Sequence, residues 1–267
     1  MSLNPLAGLR RLLEGGYGLL VLTLFVVLGS LAFLLVTLVP GLSLRARRGI
    51  AHFVSRAFFF CSAIPIKLID AHLLPAGPCL VVANHASYLD GVVLKGALPA
   101  RFSFVIKKEM SQVPVAGLLL RRIGSEFVDR FNRHAGGMDA RRLIKSAATG
   151  QSLAFFPEGT FVAEPGVGKF HTGAFMIAAR AALPVVPVAI RGTRNILPSG
   201  KLLPRPGRVE IQVLAPVALP QGVASTAIAT MTSAEARARI IAALGEPDRA
   251  DSDGTAALQP ARKAGSH

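Results

Sequence analysis

The sequence predicts an α/β domain with a single, largely parallel sheet covered by helices, preceded by an N-terminal membrane-embedded helical segment. Three observations lead to this fold class. Short apolar runs alternate with helical stretches from residue 67 onward, which favours parallel strands joined by helices. Residues 17–39 carry no charged side chain. The chain has 267 residues, which is enough for one large domain behind such a segment.

The uncharged segment 17–39 is long enough to cross the roughly 30 Å hydrocarbon core of a bilayer. A basic stretch follows it at 45–48, and we expect this stretch to lie on the cytoplasmic face. Arg10 and Arg11 precede the segment, so the sequence leaves open a full span and a re-entrant insertion. The segment is therefore predicted to anchor the protein in a membrane.

A second apolar stretch, residues 50–66, is short for a span and rich in aromatic residues. Arg56 is its one permanent charge, and a long basic side chain can extend from an interfacial helix towards the headgroups. We therefore assign residues 1–66 to a membrane anchor followed by an interfacial helix.

The remaining elements follow from the apolar pattern. Strands are predicted at 79–83, 102–106, 125–129, 152–156, 184–190 and 208–214. Helices are predicted at 88–98, 114–122, 138–149, 170–182 and 233–244. This gives a domain over 67–245. Residues 246–267 contain few apolar side chains to bury, and we expect them to form a disordered tail.

Composition limits the partners. Lys and Arg outnumber Asp and Glu by 30 to 15, and 51% of the residues are hydrophobic. This combination favours a surface with anionic lipids or an anionic substrate. Nucleic acid is a poor fit, because the basic stretches lack interleaved aromatic residues and a recognisable binding module. The two cysteines have no metal-site spacing, so no metal is expected.

Two His-x-x-x-x-Asp pairs occur, His85 with Asp90 and His134 with Asp139. Side chains five residues apart lie roughly 140° apart on a helix and on opposite faces of a strand. They can meet only where a turn leads into the first turn of a helix. His85 meets this condition, because strand-like residues precede it and a helix is predicted to begin near Ser87. No strand precedes His134.

Both pairs also have a purely structural interpretation. Ser87-x-x-Asp90 resembles a capping box, in which the acid accepts from a backbone N–H. Taken alone, this interpretation and a catalytic dyad are equally good. Asp139 is predicted to cap a helix over residues 140–150, and we interpret its spacing from His134 as accidental.

Four motifs follow one another in the predicted domain. They are NHASYLD (84–90), GSEFVDR (124–130), FPEGT (156–160) and VPVAIRGT (186–193), and Lys107-Lys108-Glu109 with Pro114 and Gly117 leads into the second. In order and spacing they resemble the motifs of the glycerolipid acyltransferases, the family of bacterial 1-acylglycerol-3-phosphate acyltransferases. The resemblance covers residues 79 to about 194.

The resemblance implies transfer of a fatty acyl group to the sn-2 hydroxyl of 1-acylglycerol-3-phosphate, in phospholipid biosynthesis. The co-substrate is acyl-CoA or acyl-carrier protein, and no cofactor is expected. Histidine suits a general base because its ordinary pKa of about 6.5 lies near working pH. His85 is therefore expected to be catalytic, with Asp90 fixing its tautomer. No G-x-S-x-G elbow supplies a covalent nucleophile.

The same resemblance, together with the position of the turn, gives the expected substrate contacts. They are Asn84, Ser87, Lys107, Arg130, Glu158, Gly159, Thr160 and Arg191. Asn84, Ser87 and the backbone N–H groups that begin the following helix are expected to support the reacting groups.

One residue departs from the family pattern. Many members that use a phosphate acceptor carry an arginine after Glu-Gly-Thr, whereas this chain has Phe161. Arg191 and Arg194 could supply the contact to the acceptor's phosphate that this arginine would otherwise make. The departure keeps open another lysolipid acceptor, such as a lyso-aminolipid. A non-catalytic membrane protein with the same fold is a further alternative, against which the intact motif residues argue.

The expected location follows from the anchor and the family. We expect a membrane-bound protein, in a bacterial inner membrane with the catalytic domain on the cytoplasmic face. Its expected partners are membrane lipids, a lysophospholipid acceptor and the acyl donor.

Overall fold

The computed structural model describes residues 5–129 and 133–250, with side chains from residue 8 and, after the gap, from residue 137. The helices are α1 Pro5–Leu38, α2 Leu44–Cys61, α3 Leu89–Ala97, α4 Ala116–Arg122, α5 Arg133–Ala148, α6 Gly173–Ala181, α7 Thr193–Ile196 and α8 Ser225–Leu244. The strands are β1 Ile66–Ile69, β2 Leu80–Ala83, β3 Phe102–Lys107, β4 Glu126–Val128, β5 Ser152–Phe155, β6 Val185–Arg191 and β7 Val209–Val213. Short 3₁₀ helices cover Ala71–Leu73 and Lys108–Gln112.

The strands form one sheet in the order β1-β7-β6-β2-β5-β3-β4. Strands β6, β2, β5, β3 and β4 run parallel, β7 is antiparallel to β6, and β1 is parallel to β7. This confirms the prediction of one largely parallel sheet. The carboxyl ends of the five parallel strands meet at one side, which we call the carboxyl edge.

Side chains of β2 alternate between two hydrophobic clusters. Val81 and Ala83 point into a cluster that also contains residues of α1, α2 and α3. Leu80 and Val82 point into a cluster with residues of α5, α6 and α8. Both faces of the sheet are therefore covered, which explains why this strand is an unbroken apolar run.

Strand β1 was not predicted. It consists of the four residues Ile66–Ile69 and is the outermost strand of the sheet, where it pairs with β7. Its two middle side chains are exposed. In so short a strand, the alternation of apolar and polar side chains is not long enough to distinguish it from a loop.

Helix α1 contains the predicted anchor, and residues 8–38 are long and apolar enough to cross a membrane. One face packs along the domain. The Tyr17 hydroxyl donates to the Ser62 carbonyl at 2.9 Å, Val21 is fully buried in the core, and Val36 packs near Ile123. At 1.5 Å per residue, the packed face from Tyr17 to Val36 is about 28 Å long. The other face carries exposed leucines, valines and a phenylalanine.

The basic stretch 45–48 is only partly exposed. Arg48 lies at 7% exposure, and its guanidinium donates to the carbonyl oxygens of Ile123 at 3.0 Å and of Arg101 and Gly124 at 3.1 Å. Two of these carbonyls belong to the residues that end α4, where helix carbonyls lack partners within the helix. Arg48 therefore joins α2 to α4, whereas Arg45 remains exposed.

The prediction that Asp139 caps a helix is wrong. Helix α5 begins at Arg133, so Asp139 lies in its second turn. There its carboxylate accepts from the Asp129 backbone N–H at 3.0 Å and pairs with Arg142 at 3.2 Å. His134 lies on the same helix. The His134 side chain lies outside the described part of the chain.

The predicted tail begins too early. Residues 246–250 pack against the loop that follows the third motif: Glu246 accepts from the Gly166 N–H at 2.7 Å, and Arg237 pairs with Asp248. Residue 248 also forms a bridge with Val167. The prediction of disorder is therefore wrong for 246–250, and residues 251–267 lie outside the described residues.

Candidate active site

His85 lies in the turn that carries the chain from β2 into α3, at the carboxyl edge. Its Nδ1 lies 2.9 Å from Oδ2 of Asp90, which belongs to the first turn of α3. The Asp90 side chain is fully buried, and the His85 side chain is 19% exposed. The strand-to-turn-to-helix geometry brings together the two side chains that the sequence analysis paired.

One carboxylate oxygen of Asp90 organises this turn. Besides His85, Oδ2 accepts from the backbone N–H groups of Ala86 at 2.6 Å and Ser87 at 2.8 Å. The carboxylate thus makes the contact of a capping box and holds the histidine as well, so the two interpretations of Asp90 are compatible. Because Oδ2 accepts from two backbone donors, Nδ1 of His85 carries the proton and Nε2 keeps the lone pair of a base.

Asn84 and Ser87 hold the turn against β6 and the segment after α7. The Asn84 amide donates to the Ile190 carbonyl at 3.0 Å and accepts from the Ile190 N–H at 2.8 Å. The Ser87 hydroxyl donates to the Leu197 carbonyl at 2.7 Å and accepts from the Leu89 N–H at 3.2 Å. Both side chains are buried and engaged within the protein, which favours a positioning role for them.

Glu158 links the histidine turn to the loop that follows the third motif. Its Oε1 accepts from the His85 backbone N–H at 2.7 Å, and its Oε2 accepts from the Gly168 N–H at 2.8 Å. Burial raises the pKa of Glu158, and the two backbone N–H donors oppose this shift. Gly159 adopts a φ of +80°, a left-handed conformation that suits glycine, as the chain turns beside this carboxylate.

Aromatic rings surround the imidazole. The Phe156 ring stacks on His85 with centroids 4.3 Å apart, and the Phe161 ring lies at 4.5 Å with a 59° tilt. Tyr88 meets Phe161 edge-on at 4.8 Å and is 61% exposed. Phe161, noted in the sequence as the residue in place of an arginine, therefore packs directly against the candidate base. Phe156 and Tyr88 were not predicted as site residues, although both lie inside the sequence motifs.

The basic residues predicted to contact substrate have different environments. Lys107 ends β3 and is exposed, and Arg191 ends β6, 3.9 Å from Glu210. Thr160 is exposed beside the Glu158 turn. Arg194 is engaged within the protein, since it pairs with Glu246 at 3.0 Å. Arg130 lies outside the described residues.

The neighbourhood of His85 offers one imidazole and two carboxylates that are already engaged by backbone N–H groups. In residues 5–129 and 133–250, no cluster of three or more His, Cys, Asp or Glu side chains is placed to hold a metal ion. The arrangement suits proton transfer by a histidine whose orientation is fixed.

Comparison with known sequences gives consistent matches. The acyltransferase family model matches residues 65–191. A chloroplastic 1-acyl-sn-glycerol-3-phosphate acyltransferase of Brassica napus is 33% identical over 161 residues, which cover 58% of this chain and 46% of that relative. A lyso-ornithine lipid O-acyltransferase of Pseudomonas aeruginosa is 33% identical over 177 residues, which cover 59% of this chain and 66% of that relative. The chain spans about half the length of several curated relatives that it matches.

The fold also has a solved counterpart. The crystal structure of the 1-acyl-sn-glycerophosphate acyltransferase PlsC from Thermotoga maritima matches 87% of this chain and 97% of its own, with a TM-score of 0.65 and 23% identity. That likeness concerns the fold, whereas the family match covers β2, β5 and β6 with the His85 turn and Glu158. Over the region that carries the site, the chain is therefore similar to the acyltransferase family and to glycerolipid acyltransferases among its relatives.

Proposed function

We propose that the protein transfers a fatty acyl group from acyl-CoA or acyl-carrier protein to the hydroxyl of a lysophospholipid, with the sn-2 hydroxyl of 1-acylglycerol-3-phosphate as the acceptor. The observation that carries the proposal is the His85–Asp90 pair at the carboxyl edge, with Nδ1 held at 2.9 Å and Nε2 available as a base. In parallel α/β sheets, ligands bind outside the carboxyl ends of the strands.

In the proposed reaction, Nε2 of His85 takes the proton of the acceptor hydroxyl as its oxygen attacks the thioester carbonyl carbon. Asp90 stabilises the imidazolium that forms. The tetrahedral intermediate then collapses with cleavage of the C–S bond, and the leaving thiolate takes the proton back from Nε2. The products are the ester and the free thiol, so the histidine is regenerated.

Direct attack by the acceptor agrees with the state of the nearby serine. The Ser87 side chain is fully buried, and its hydroxyl donates to the Leu197 carbonyl. It therefore lacks the exposure and the base contact that an acyl-enzyme nucleophile needs. The N–H groups of residues 85–87 also donate to carboxylates, so these three groups are not free to bind the developing oxyanion.

The phosphate acceptor is supported by positive charge at the carboxyl edge. Lys107 and Arg191 end two of the parallel strands, and Arg130 follows a third in sequence. We propose that these residues bind the acceptor's phosphate, with Thr160 close to the same headgroup. Glu158 and Gly159 shape the turn between them, since the Glu158 carboxylate is engaged by His85 and Gly168.

One observation favours a second acceptor, a lyso-aminolipid. Phe161 packs against His85, where it adds apolar surface and no positive charge. Tyr88 is 61% exposed beside Phe161, and an aromatic ring attracts cations better than anions. The lyso-ornithine lipid O-acyltransferase of Pseudomonas aeruginosa is one of the relatives, which lends support to this alternative.

We propose attachment to one leaflet of a bacterial inner membrane, with the catalytic domain on the cytoplasmic side. Protein covers one face of α1 from Tyr17 to Val36, and lipid would cover the other. A helix packed lengthwise on its own domain lies with that domain at the membrane surface, which favours the re-entrant or in-plane arrangement over an isolated span.

The experiment is an acceptor panel with the purified full-length protein in mixed micelles, with acyl-CoA and acyl-carrier protein as alternative donors. Transfer to 1-acylglycerol-3-phosphate with the highest kcat/KM is the expected result. A preference for lyso-ornithine lipid or lysophosphatidylethanolamine would establish the second acceptor. Absence of transfer to every lysolipid with both donors would contradict both and leave the non-catalytic alternative.

A further inference from the structure

Two loops extend from the carboxyl edge near helix α1. The first, residues 108–118, follows β3 and includes the first residues of α4. The second, residues 197–208, connects β6 and α7 to β7. We call them the β3 loop and the β6 loop. Helix α1 touches the β6 loop at Gly18, and near its other end Val36 packs against α4, the helix into which the β3 loop leads.

The β3 loop presents apolar side chains to the exterior. Val113 is 41% exposed, Val115 is 59% exposed and Leu118 is 38% exposed. Val115 has φ 63° and ψ −63°, and the Ala116 N–H donates to the Pro114 carbonyl at 2.6 Å, which closes a γ-turn. This conformation is strained for a β-branched residue. The strained turn places the valine side chain outside the domain core.

The β6 loop has the same character. Leu202 is 81% exposed and Leu203 is 44% exposed. A Cβ added to Gly18 of α1 would lie only 2.9 Å from the Leu203 Cβ, so the glycine permits close approach of helix and loop. The exposed leucines therefore lie beside the segment of the chain that faces lipid.

Basic residues surround both apolar tips. The exposed ones in or beside the two loops are Lys107, Lys108, Arg121, Arg122, Lys201, Arg205 and Arg208. Lys108 pairs with Asp129 at 3.2 Å. Apolar tips among cations are complementary to a bilayer with anionic headgroups, because the apolar groups enter the acyl boundary while the cations remain at the phosphates.

We infer that the tips of the β3 and β6 loops, at Val115 and Leu202, insert into the same anionic leaflet as the exposed face of α1. The inference rests on the membrane attachment proposed above and adds two contacts made by the catalytic domain itself. Together with α1, the loops give three lipid contacts and set the tilt of the domain. The carboxyl edge with His85 then faces the headgroups, where a lysolipid acceptor is held.

The chain contains no tryptophan, so a single introduced tryptophan reports its own position. The test uses full-length Val115→Trp and Leu202→Trp, each reconstituted in vesicles of phosphatidylethanolamine and phosphatidylglycerol with brominated acyl chains. The matched control is Val223→Trp. Val223 is 47% exposed and follows β7, which ends at the opposite edge of the sheet from His85. Retained acyl transfer shows that each variant is folded.

Bromolipid quenching several-fold stronger at 115 and 202 than at 223 is the expected result, with weaker quenching when phosphatidylcholine replaces phosphatidylglycerol. Quenching at either loop no stronger than at 223 would overturn the inference for that loop. Leu31→Trp, at a 46% exposed position of α1, reports whether α1 itself contacts lipid. It therefore distinguishes loops that do not insert from a protein that does not attach to the membrane. Quenching in Leu31→Trp with unquenched loops refutes the loop contacts alone, whereas absence of quenching in Leu31→Trp refutes the membrane attachment as well.

Discussion

Asp90 Oδ2 lies 2.9 Å from His85 Nδ1 while it also accepts two backbone N–H groups of the turn between them. A single buried oxygen thus fixes both the imidazole and the backbone that carries it. An amide at position 90 can therefore separate two roles of the carboxylate. Its oxygen can keep the hydrogen bonds that stabilise the turn, whereas it lacks the negative charge that stabilises a protonated His85.

Asp90→Asn should lower turnover by about 10²–10⁴-fold, since the neutral side chain stabilises the imidazolium poorly. The amide oxygen can still accept from Ala86 and Ser87. The free energy of unfolding should therefore fall by only about 1–2 kcal/mol. The measurements are kcat and denaturant unfolding of the same preparation. Nearly normal turnover with reduced stability would mean that Asp90 is a helix cap alone.

Glu158→Gln tests whether this carboxylate positions His85 or binds the acceptor. An amide accepts through one oxygen only, so one of the N–H groups of His85 and Gly168 loses its partner. We expect a reduced kcat, with the KM values for acceptor and donor changed by similar factors. A rise confined to the acceptor KM would show that Glu158 contacts the acceptor.

The same variant has a signature in the pH dependence of stability. Burial raises the pKa of Glu158, so the folded protein keeps this proton at pH values where the unfolded chain has released it. The carboxyl's contribution to stability is therefore fully present below the ordinary glutamate pKa, and is lost as pH rises through the raised, folded value. Glu158→Gln should remove this part of the decline in Tm above about pH 4.3. An unchanged slope would argue against the buried carboxyl.

Phe161→Ala should increase thioester hydrolysis relative to acyl transfer. The phenylalanine ring covers one side of His85, and its loss would admit water to the base, which then produces free fatty acid and thiol. The measurement is the ratio of fatty acid to diacyl product at saturating acceptor. Phe161→Leu, which keeps an apolar cover, is the control and should stay near the parent ratio. An unaltered ratio of fatty acid to diacyl product in Phe161→Ala would show that Phe161 does not shield His85 from water.

Arg48→Met should destabilise the protein by more than about 2 kcal/mol, because three backbone carbonyls in or beside a buried site lose their donor. Arg45→Met, on the exposed side of the same helix, should change stability by less than about 0.5 kcal/mol. Thermal unfolding in detergent compares the two. Equal losses would indicate a general effect of reduced positive charge.

The sequence predicted the sheet well where strands are buried on both faces, as at β2, and it predicted the His85–Asp90 contact because a strand runs directly into a helix there. It failed where long-range contacts decide the outcome. Arg48 is a basic residue after an apolar segment, and only the approach of α4 makes it a buried donor. Glu158 meets Gly168 and His85 through folding of two loops, which no spacing in the sequence reveals.

The Asp139 prediction failed for a related reason. A helix was predicted to begin after Asp139, yet α5 begins at Arg133, upstream of Gly136 and Gly137, and the Asp139 carboxylate accepts from the Asp129 N–H. Tertiary packing of α5 on α6 and β4 compensates for the low helix propensity of glycine.

The most direct test of the central claim compares His85→Ala with His134→Ala, both matched for folding by circular dichroism and assayed on one lysolipid acceptor. His85→Ala removes the proposed base and should lower turnover by about 10²–10⁴-fold or more. His134→Ala alters the other His-x-x-x-x-Asp pair and should stay within a few-fold of the parent. An active His85→Ala beside an inactive His134→Ala would contradict the assignment of the base.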